Sequence, residues 1–506
     1  MKTKSLLFAF LIFSAINGFS QQRYLNEVFN GVNITSNVVY GENYSVLTGT
    51  PILQTLMMDV YEPAGDTASA RPVVIYMHAG DFLPLLFANP IGDVHDSSVV
   101  EICKRFARRG FVAVSMDYRL GWLPGSLDQD IRTGTLIQAV YRGLQDAKSC
   151  VRYLRMNATT QGNTYKIDTN CIAIGGEGSA GYISTAYATL NDSTELQLLK
   201  FLSTTNGQPY IQPYILGSID GFGGDPTLNN ENWPGYSSKV CMVFNLEGAL
   251  GDSSWLEAGE VPMVSFHDTN NPGAPYYNGP VIGPVGFVVW ATGSHDMIRD
   301  ANLLGNNDVF NVAWNDPYTA RADQENDGWE GLFPIVQPDP GPPYNGQSNP
   351  WQWWDSLDLQ SVAPLYGISS FQASQIYLAG FFTNPDMSKS KAMRYIDTVM
   401  GYLAPRIVQN CQLPGFISGV GEVNLIGNDV KMFPNPAEEY FILQLADASQ
   451  QMKRLQLFDA TGRLVKEISS INSNHVQMNR SDLVSGLYLL KIQLTDRELN
   501  GKLIIP

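Results

Sequence analysis

Residues 171–183 read Cys-Ile-Ala-Ile-Gly-Gly-Glu-Gly-Ser-Ala-Gly-Tyr-Ile, and this stretch decides the fold. A short apolar run leads into a glycine-rich bend, and helix-forming sequence follows from Ile183 to Leu190. The pattern predicts a buried strand, a sharp turn and a helix. In open α/β sheets, such turns lie at the carboxyl ends of the strands, where ligands bind.

The turn nearly contains the motif G-x-S-x-G, whose strained central residue is a nucleophile. Two registers are open. Residues 176–180 place Gly178 at the centre, whereas residues 177–181 place Ser179 there. We favour the first register, because the second puts Glu177 where the turn has least room for a side chain.

Buried strands and helices alternate on both sides of this stretch. Strands are predicted at 52–63, 73–77, 111–116, 240–246 and 261–266, and helices at 99–109, 132–157 and 389–408. The alternation predicts an α/β fold with a doubly wound, mostly parallel sheet. Residues 191–238 and 316–372 interrupt it and are predicted to be cap insertions over the carboxyl edge of the sheet.

The first 20 residues have the pattern of a signal peptide. Lys2 and Lys4 precede the apolar run from Leu6 to Ile16, with a predicted cleavage before Gln21. No later segment has the ~18 apolar residues of a spanning helix. Beyond Gly421, short alternating strands predict a small β-sandwich.

The net charge of −16 argues against nucleic acid as a partner, because phosphates would be repelled. No cofactor is predicted. The start of a calcium loop at 323–328 lacks its final acidic ligand, since the twelfth position is Pro334. Trp351, Trp353 and Trp354 could stack on sugar rings or simply pack the cap.

Four segments together carry a family resemblance: Leu56–Pro63, His78–Phe82, Ser115–Gly121 and Asp146–Leu154. The order of these motifs over residues 50–410 resembles secreted bacterial carboxylesterases and lipases of the α/β-hydrolase superfamily. The resemblance implies a hydrolase-fold domain at 21–415. Its topology would place Cys103 and Cys411 near one face of the sheet, which makes a Cys103–Cys411 disulfide possible.

The C-terminal part resembles the type IX secretion sorting domain. The resemblance is carried by Lys431–Ala437, Leu457–Val465, Ser485–Lys491 and Gly501–Ile505. It implies a linker at 416–424 and a sorting domain of Ig-like β-sandwich type at 425–506. The implied partner is the type IX translocon, and the implied location is the outer-membrane surface or the medium, reached through the periplasm.

The hydrolase resemblance also implies positions for the catalytic groups. Gly80 and Ala180 are the candidate oxyanion donors. The position of the acid is Asn271, which carries no charge, and Asp268 and Asp252 are possible substitutes that are expected to be solvated. Asp81 would place a carboxylate near the developing negative charge unless its side chain points outward.

The catalytic histidine should follow the last core strand, which we predict at Val309–Trp314. The chain has only five histidines (His78, His95, His267, His295 and His475), and none lies between 296 and 474. His78 and His267 are expected to be structural groups at strand ends. Nucleophile, acid and base positions are thus all substituted.

The sequence therefore supports two hypotheses. In the first, an exported hydrolase-fold protein has lost its catalytic triad and binds a ligand, such as a small ester or a carbohydrate. Its pocket would lie between Gly80, Gly178, Ser179, Asn271 and the cap. In the second, the protein is an active carboxylic-ester hydrolase in which Ser179 attacks with an unconventional base.

Overall fold

A computed structural model describes residues 22–414, apart from 88, 313 and 345, and much of the C-terminal part. In that part, 430–505 are described apart from 434–439, 446, 448, 460–462, 480–482, 484–485 and 496–497. The chain divides into two compact units at residue 416. The predicted signal peptide and linker lie outside the described residues. No described helix is both long and apolar enough to cross a membrane.

The first unit is built on one eight-stranded sheet. The strands of this unit are β1 (Val32–Ser45), β2 (Ile52–Pro63), β3 (Arg71–Met77), β4 (Val112–Met116), β5 (Ile167–Glu177), β6 (Met242–Leu246), β7 (Met263–Asp268), β8 (Gly279–Gly283), β9 (Gly286–Ala291) and β10 (Leu332–Ile335). The sheet order is β1-β2-β4-β3-β5-β6-β7-β10, while β8 and β9 form a separate hairpin. Pairing is antiparallel at β1–β2 and β2–β4 and parallel beyond. The predicted mostly parallel α/β sheet is confirmed.

Helices cover both faces of this sheet. They are α1 (Ser97–Arg109), α2 (Gln129–Thr160), α3 (Ser179–Thr189), α4 (Pro213–Leu216), α5 (Ser294–Leu303), α6 (Pro317–Ala322), α7 (Ser356–Val362), α8 (Ser370–Ala379) and α9 (Lys389–Asn410). Apolar residues of α2, α3 and α5 pack on one face, and those of α1 and α9 pack on the other. The central strands β3 and β4 are buried along their whole length, as their continuous apolar runs indicate.

The last core strand is β10, and the prediction of Val309–Trp314 was wrong. Residues 308–310 form a single 3-10 turn. Its preceding residue, Asn307, binds the backbone of Met263 through both side-chain atoms. Apolar Val309 and Trp314 pack beside α9 instead of pairing in the sheet. Residues 316–372 are consequently not one cap insertion, because α6 and β10 within them belong to the core.

The disulfide joins Cys171 to Cys411, not Cys103 to Cys411. Cys103 is a buried free thiol on α1, where it packs with the apolar core. The end of α9 instead reaches the early part of β5, which carries Cys171. Cys241 lies beside the bond, with its Sγ 3.4 Å from Cys411 Sγ.

The second unit consists of antiparallel strands. They are β11 (Val430–Phe433), β12 (Tyr440–Leu445), β13 (Met452–Asp459), β14 (Leu464–Ser473), β15 (His475–Asn479), β16 (Gly486–Gln493) and β17 (Glu498–Ile505). They form one sheet of order β11-β12-β15 and another of order β14-β13-β16-β17. Alternating apolar residues of β12, β13 and β16 make a separate core. This arrangement fits the predicted β-sandwich.

Candidate functional site

The turn between β5 and α3 is centred on Gly178. This residue has φ 56° and ψ −117°, a combination outside the regions allowed to residues with a side chain. Its N–H donates to the Leu246 carbonyl at 2.8 Å, which anchors the turn to β6. The register centred on Gly178 therefore describes the observed geometry, and the central position has no functional group.

Ser179 is the first residue of α3 and is 4% exposed. Its Oγ lies 3.1 Å from the hydroxyl of Tyr118, which donates to the backbone carbonyl of His78. Burial raises the pKa of the Tyr118 phenol far above its usual value, so this neighbour keeps its proton. The side-chain hydrogen-bond partner of Ser179 is thus a phenol.

Two backbone segments near the turn contain the predicted oxyanion donors or their neighbours, Gly80 and Ser179. Gly80 has φ 108°, and a Cβ there would come within 2.5 Å of the Gly92 backbone. Ser179 is the first residue of α3, so its backbone N–H has no carbonyl acceptor within the helix. Ala180, the predicted second donor, is fully buried at the base of α3 and lies outside the cavity wall. Ser179, directly after Gly178, lines the cavity and Ala180 does not.

Asp81 belongs to the wall of the cavity beside this turn. Its carboxylate accepts a hydrogen bond of 2.6 Å from Asn89 Nδ2, which lies in the same wall. The negative charge that the sequence suggested as unfavourable therefore stays at the site, with an amide as its hydrogen-bond donor.

Asn271, at the position of the acid, supports the loop that contains it. Its Oδ1 accepts from the N–H groups of Gly273 and Ala274, and its Nδ2 donates to Glu247 Oε2 at 2.8 Å. Glu247 has φ 61° at the end of β6 and is 2% exposed. Burial, followed by the charge of Asp268, raises the pKa of Glu247 well above its usual range.

The two substitute acids are also engaged in structural contacts. Asp268 was expected to be solvated but is fully buried at the end of β7, where it accepts a hydrogen bond from Gln337. Gln337 follows β10, near the place where the resemblance puts a histidine. Asp252 pairs with Lys200 at 2.6 Å and lies outside the cavity wall.

Three histidines, His78, His267 and His295, follow strands of this unit and contact groups other than Ser179. His78 Nε2 lies 3.5 Å from Asp117, and its ring stacks on Tyr118. Burial lowers the pKa of His78, but Asp117, Asp96 and the Ala79 carbonyl together raise it above its usual value. His267 is fully buried, with Nδ1 2.7 Å from Ser294 Oγ, and burial lowers its pKa to about 4. His295 contacts Asp296 and Asp327. Among the described residues, no imidazole is hydrogen-bonded to Ser179.

These groups surround a cavity of about 430 Å³. Its wall includes the sequence-predicted residues Gly80, Gly178, Ser179 and Asn271, together with Glu247. The loop after β10 and the following helices contribute Ser348, Asn349, Gln352, Trp354 and Thr383. The polar part of the wall is thus made mainly of hydroxyl, amide and buried carboxyl groups.

Sequence reasoning missed two parts of this wall. Glu247 follows β6 without a motif; an acidic residue directly after a buried strand was the available signal. The β8–β9 hairpin contributes Val281, Ile282 and Gly283. Its alternating residues around Gly286 have the pattern of a hairpin, which could have predicted it.

Of the two roles that the sequence left open for the tryptophans at 351–354, the structure favours packing. Trp351 is fully buried and Trp354 is 8% exposed, so both pack the cap as core residues do. Of the three tryptophans, only Trp354 is part of the described cavity wall.

Comparison with known families identifies two regions. Residues 431–506 match the secretion system C-terminal sorting domain, and residues 58–214 match the family described as BD-FAE. A search of curated proteins found no match. The C-terminal match implies handling by the type IX secretion system and export to the surface or the medium.

Several solved structures of Thermogutta terrifontis esterase 2 are similar to this chain. The native enzyme is 16% identical, covering 72% of this chain and 98% of the esterase, with a TM-score of 0.33. The form phosphoramylated by tabun is 16% identical over 71% and 98% of the two chains, with a TM-score of 0.34.

Proposed function

We propose that this chain, which joins an esterase-like α/β-hydrolase domain to a type IX sorting domain, is an exported protein that binds a small ligand without cleaving it. A small ester is the first candidate ligand and a carbohydrate is the second. The single observation that carries the proposal is Gly178, which holds the backbone of a nucleophile turn without a nucleophile.

Two further observations support the loss of chemistry, and a third supports binding. The acid position is an amide, Asn271, which cannot stabilise an imidazolium by its charge. Acyl transfer needs a base that takes the proton of the attacking hydroxyl, and Ser179 is bonded to Tyr118 instead. The cavity itself is intact, and its wall keeps the backbone of Gly80 and Ser179 that would hold an ester carbonyl.

Enzymatic activity is tested on the mature protein with nitrophenyl butyrate and a fluorophosphonate probe. We expect no hydrolysis above the buffer rate and no covalent labelling, and the same result for Ser179→Ala. Hydrolysis that Ser179→Ala abolishes, together with labelling of Ser179, would establish the alternative of an active ester hydrolase.

Binding is tested by calorimetry with methyl butanoate. Ile282→Trp, which narrows the cavity at an exposed wall residue, should weaken binding by about tenfold or more. Val285→Trp is the matched control, because Val285 is exposed on the same hairpin but lies outside the cavity wall. Equal affinities for both variants and the wild type would contradict binding in this cavity.

A further inference from the structure

Three cysteines meet near the amino ends of the central strands. Cys171 lies in β5, Cys241 directly precedes β6, and Cys411 directly follows α9. Their sulfur atoms all lie within 4.8 Å of one another, and Cys241 Sγ is 3.4 Å from Cys411 Sγ. The Gly178 turn follows at the opposite end of β5, roughly 20 Å further along the strand, so this cluster is separate from the cavity.

Hydrogen bonds hold the three cysteines together independently of the disulfide. The N–H of Cys241 donates to the Ile172 carbonyl at 2.9 Å, which keeps Cys241 beside the residue after Cys171. Asn410 Nδ2 donates to the Cys241 carbonyl at 2.9 Å, which ties the end of α9 to the start of β6. Reduction of the disulfide would therefore leave three thiols close together.

The surroundings of the cluster are suited to thiolates. One of the three cysteines is buried and two are half-buried. Arg155 donates to the carbonyls of Ser237 at 2.7 Å and Thr169 at 3.0 Å, and its positive charge acts on the Cys241 thiol. A neighbouring cation favours the thiolate, which is the form of cysteine that binds a metal.

The number and type of the ligands select the metal. Thiolates are soft ligands that favour Cu(I) and Zn(II). A structural Zn(II) ion almost always has four ligands, whereas this group of candidate ligands has three members among the described residues. Cu(I) also forms complexes with three sulfur ligands, so the cluster favours Cu(I).

We propose that Cys171, Cys241 and Cys411 bind one Cu(I) ion in the reduced chain. A dithiol reduces the Cys171–Cys411 bond and is itself oxidised to a disulfide, so its two hydrogens pass to the two cysteine sulfurs. Cu(I) then replaces the protons of the three thiols and forms three copper–sulfur bonds, and the protons pass to water. The metal site and the disulfide are therefore alternative states of the same sulfur atoms.

The test is an anaerobic titration of the full mature chain with Cu(I), in competition with a chromogenic Cu(I) chelator. The chain is first reduced with dithiothreitol, which is then removed. We expect one tightly bound Cu(I) per chain, with three sulfur neighbours by X-ray absorption. Cys241→Ser should weaken binding by at least about 100-fold, because loss of a group that only orients a ligand already costs about 10–100-fold.

Cys103→Ser is the matched control, because Cys103 is a buried free thiol outside the cluster. This variant should bind Cu(I) as the wild type does, and the unreduced wild type should bind it weakly. Equal weakening by Cys103→Ser and Cys241→Ser would show that the thiols of an unfolded chain bind the metal, and would overturn the proposal. Equally tight binding before and after reduction, or tighter binding of Zn(II) than of Cu(I), would also overturn it.

Discussion

Gly178 decides the chemistry of the site at the scale of a single residue. Its φ and ψ are outside the regions that a side chain tolerates, and a Cβ there would lie 3.1 Å from Ala79 Cβ. A residue with a side chain held in such a conformation costs about 1–3 kcal/mol. Glycine removes that cost together with the nucleophile.

Gly178→Ser should therefore lower the free energy of unfolding by about 1–3 kcal/mol. The new hydroxyl should not produce ester hydrolysis, because no imidazole among the described residues is hydrogen-bonded to the adjacent Ser179. Urea unfolding followed by tryptophan fluorescence measures the first effect, since all nine tryptophans lie between residues 122 and 354. Gly207→Ser, at a positive φ in an open turn, is the control for backbone strain alone. Turnover by Gly178→Ser would show that a base is present.

His267 and His95 should affect stability in opposite pH ranges. The pKa of His267 is lowered to about 4 by burial, so the unfolded chain binds the extra proton and stability falls as the pH drops from about 6.5 to 4. This group accounts for about 3 kcal/mol at most. The pKa of His95 is raised to about 9, mainly by its bond to Asp93, so its stabilisation is lost as the pH rises from about 6.5 to 9.

Urea unfolding of His267→Gln and His95→Gln across this pH range checks both signs. His267→Gln should flatten the acid side of the wild-type profile, and His95→Gln should flatten the alkaline side. A change on the same side for both variants would contradict the assignment.

At the scale of elements, three strand ends build the site. The residues after β6, β7 and β10 meet through Glu247, which accepts hydrogen bonds from Asn271 Nδ2 and from the backbone N–H of Asn349. Burial, followed by the charge of Asp268, raises the pKa of Glu247 well above its usual range. Amides and a buried carboxyl thus occupy the region where a charged acid and a histidine would be needed for acyl transfer.

The disulfide between Cys171 and Cys411 joins β5 to α9. Removing the bond should lower the free energy of unfolding by about 2–5 kcal/mol, because it closes a long loop in the unfolded chain. Cys171→Ser alone should cost less, since Cys241 Sγ lies 3.4 Å from Cys411 Sγ and can take over the bond. The double variant Cys171→Ser/Cys241→Ser should show the full loss. Urea unfolding and peptide mapping check this, and equal losses in both variants would argue against the exchange.

An element can be predicted from the sequence when neighbouring residues alone determine it. The turn at Gly178 and the alternation of strands and helices follow from neighbouring residues, so both could be predicted. The strand Leu332–Ile335 has only four residues and contains Pro334, which a sequence pattern excludes from most strands. It lies at the edge of the sheet, where proline is tolerated. The Cys171–Cys411 bond and the contacts of Glu247 depend on chain packing over long separations, which no local pattern contains.

At the scale of the whole molecule, two units have separate cores. The C-terminal unit matches a sorting domain, whose role is recognition during export. Deleting residues 425–506 should therefore leave the hydrolase unit folded and retain it in the periplasm. Cell fractionation measures the location, and tryptophan fluorescence of the retained protein reports on folding. Normal amounts of the truncated protein at the surface would contradict a sorting role.

Glycine adopts the conformation at position 178 without strain, and this affects how many mutations the fold can accept. An enzyme of this fold must hold its nucleophile in a strained backbone conformation, and that strain lowers the free energy of unfolding. Because Gly178 avoids the strain, the free energy of unfolding is higher here by the cost of one or two ordinary substitutions, each about 1 kcal/mol. The wall of the cavity can therefore accept a substitution of this cost before the folded state is lost.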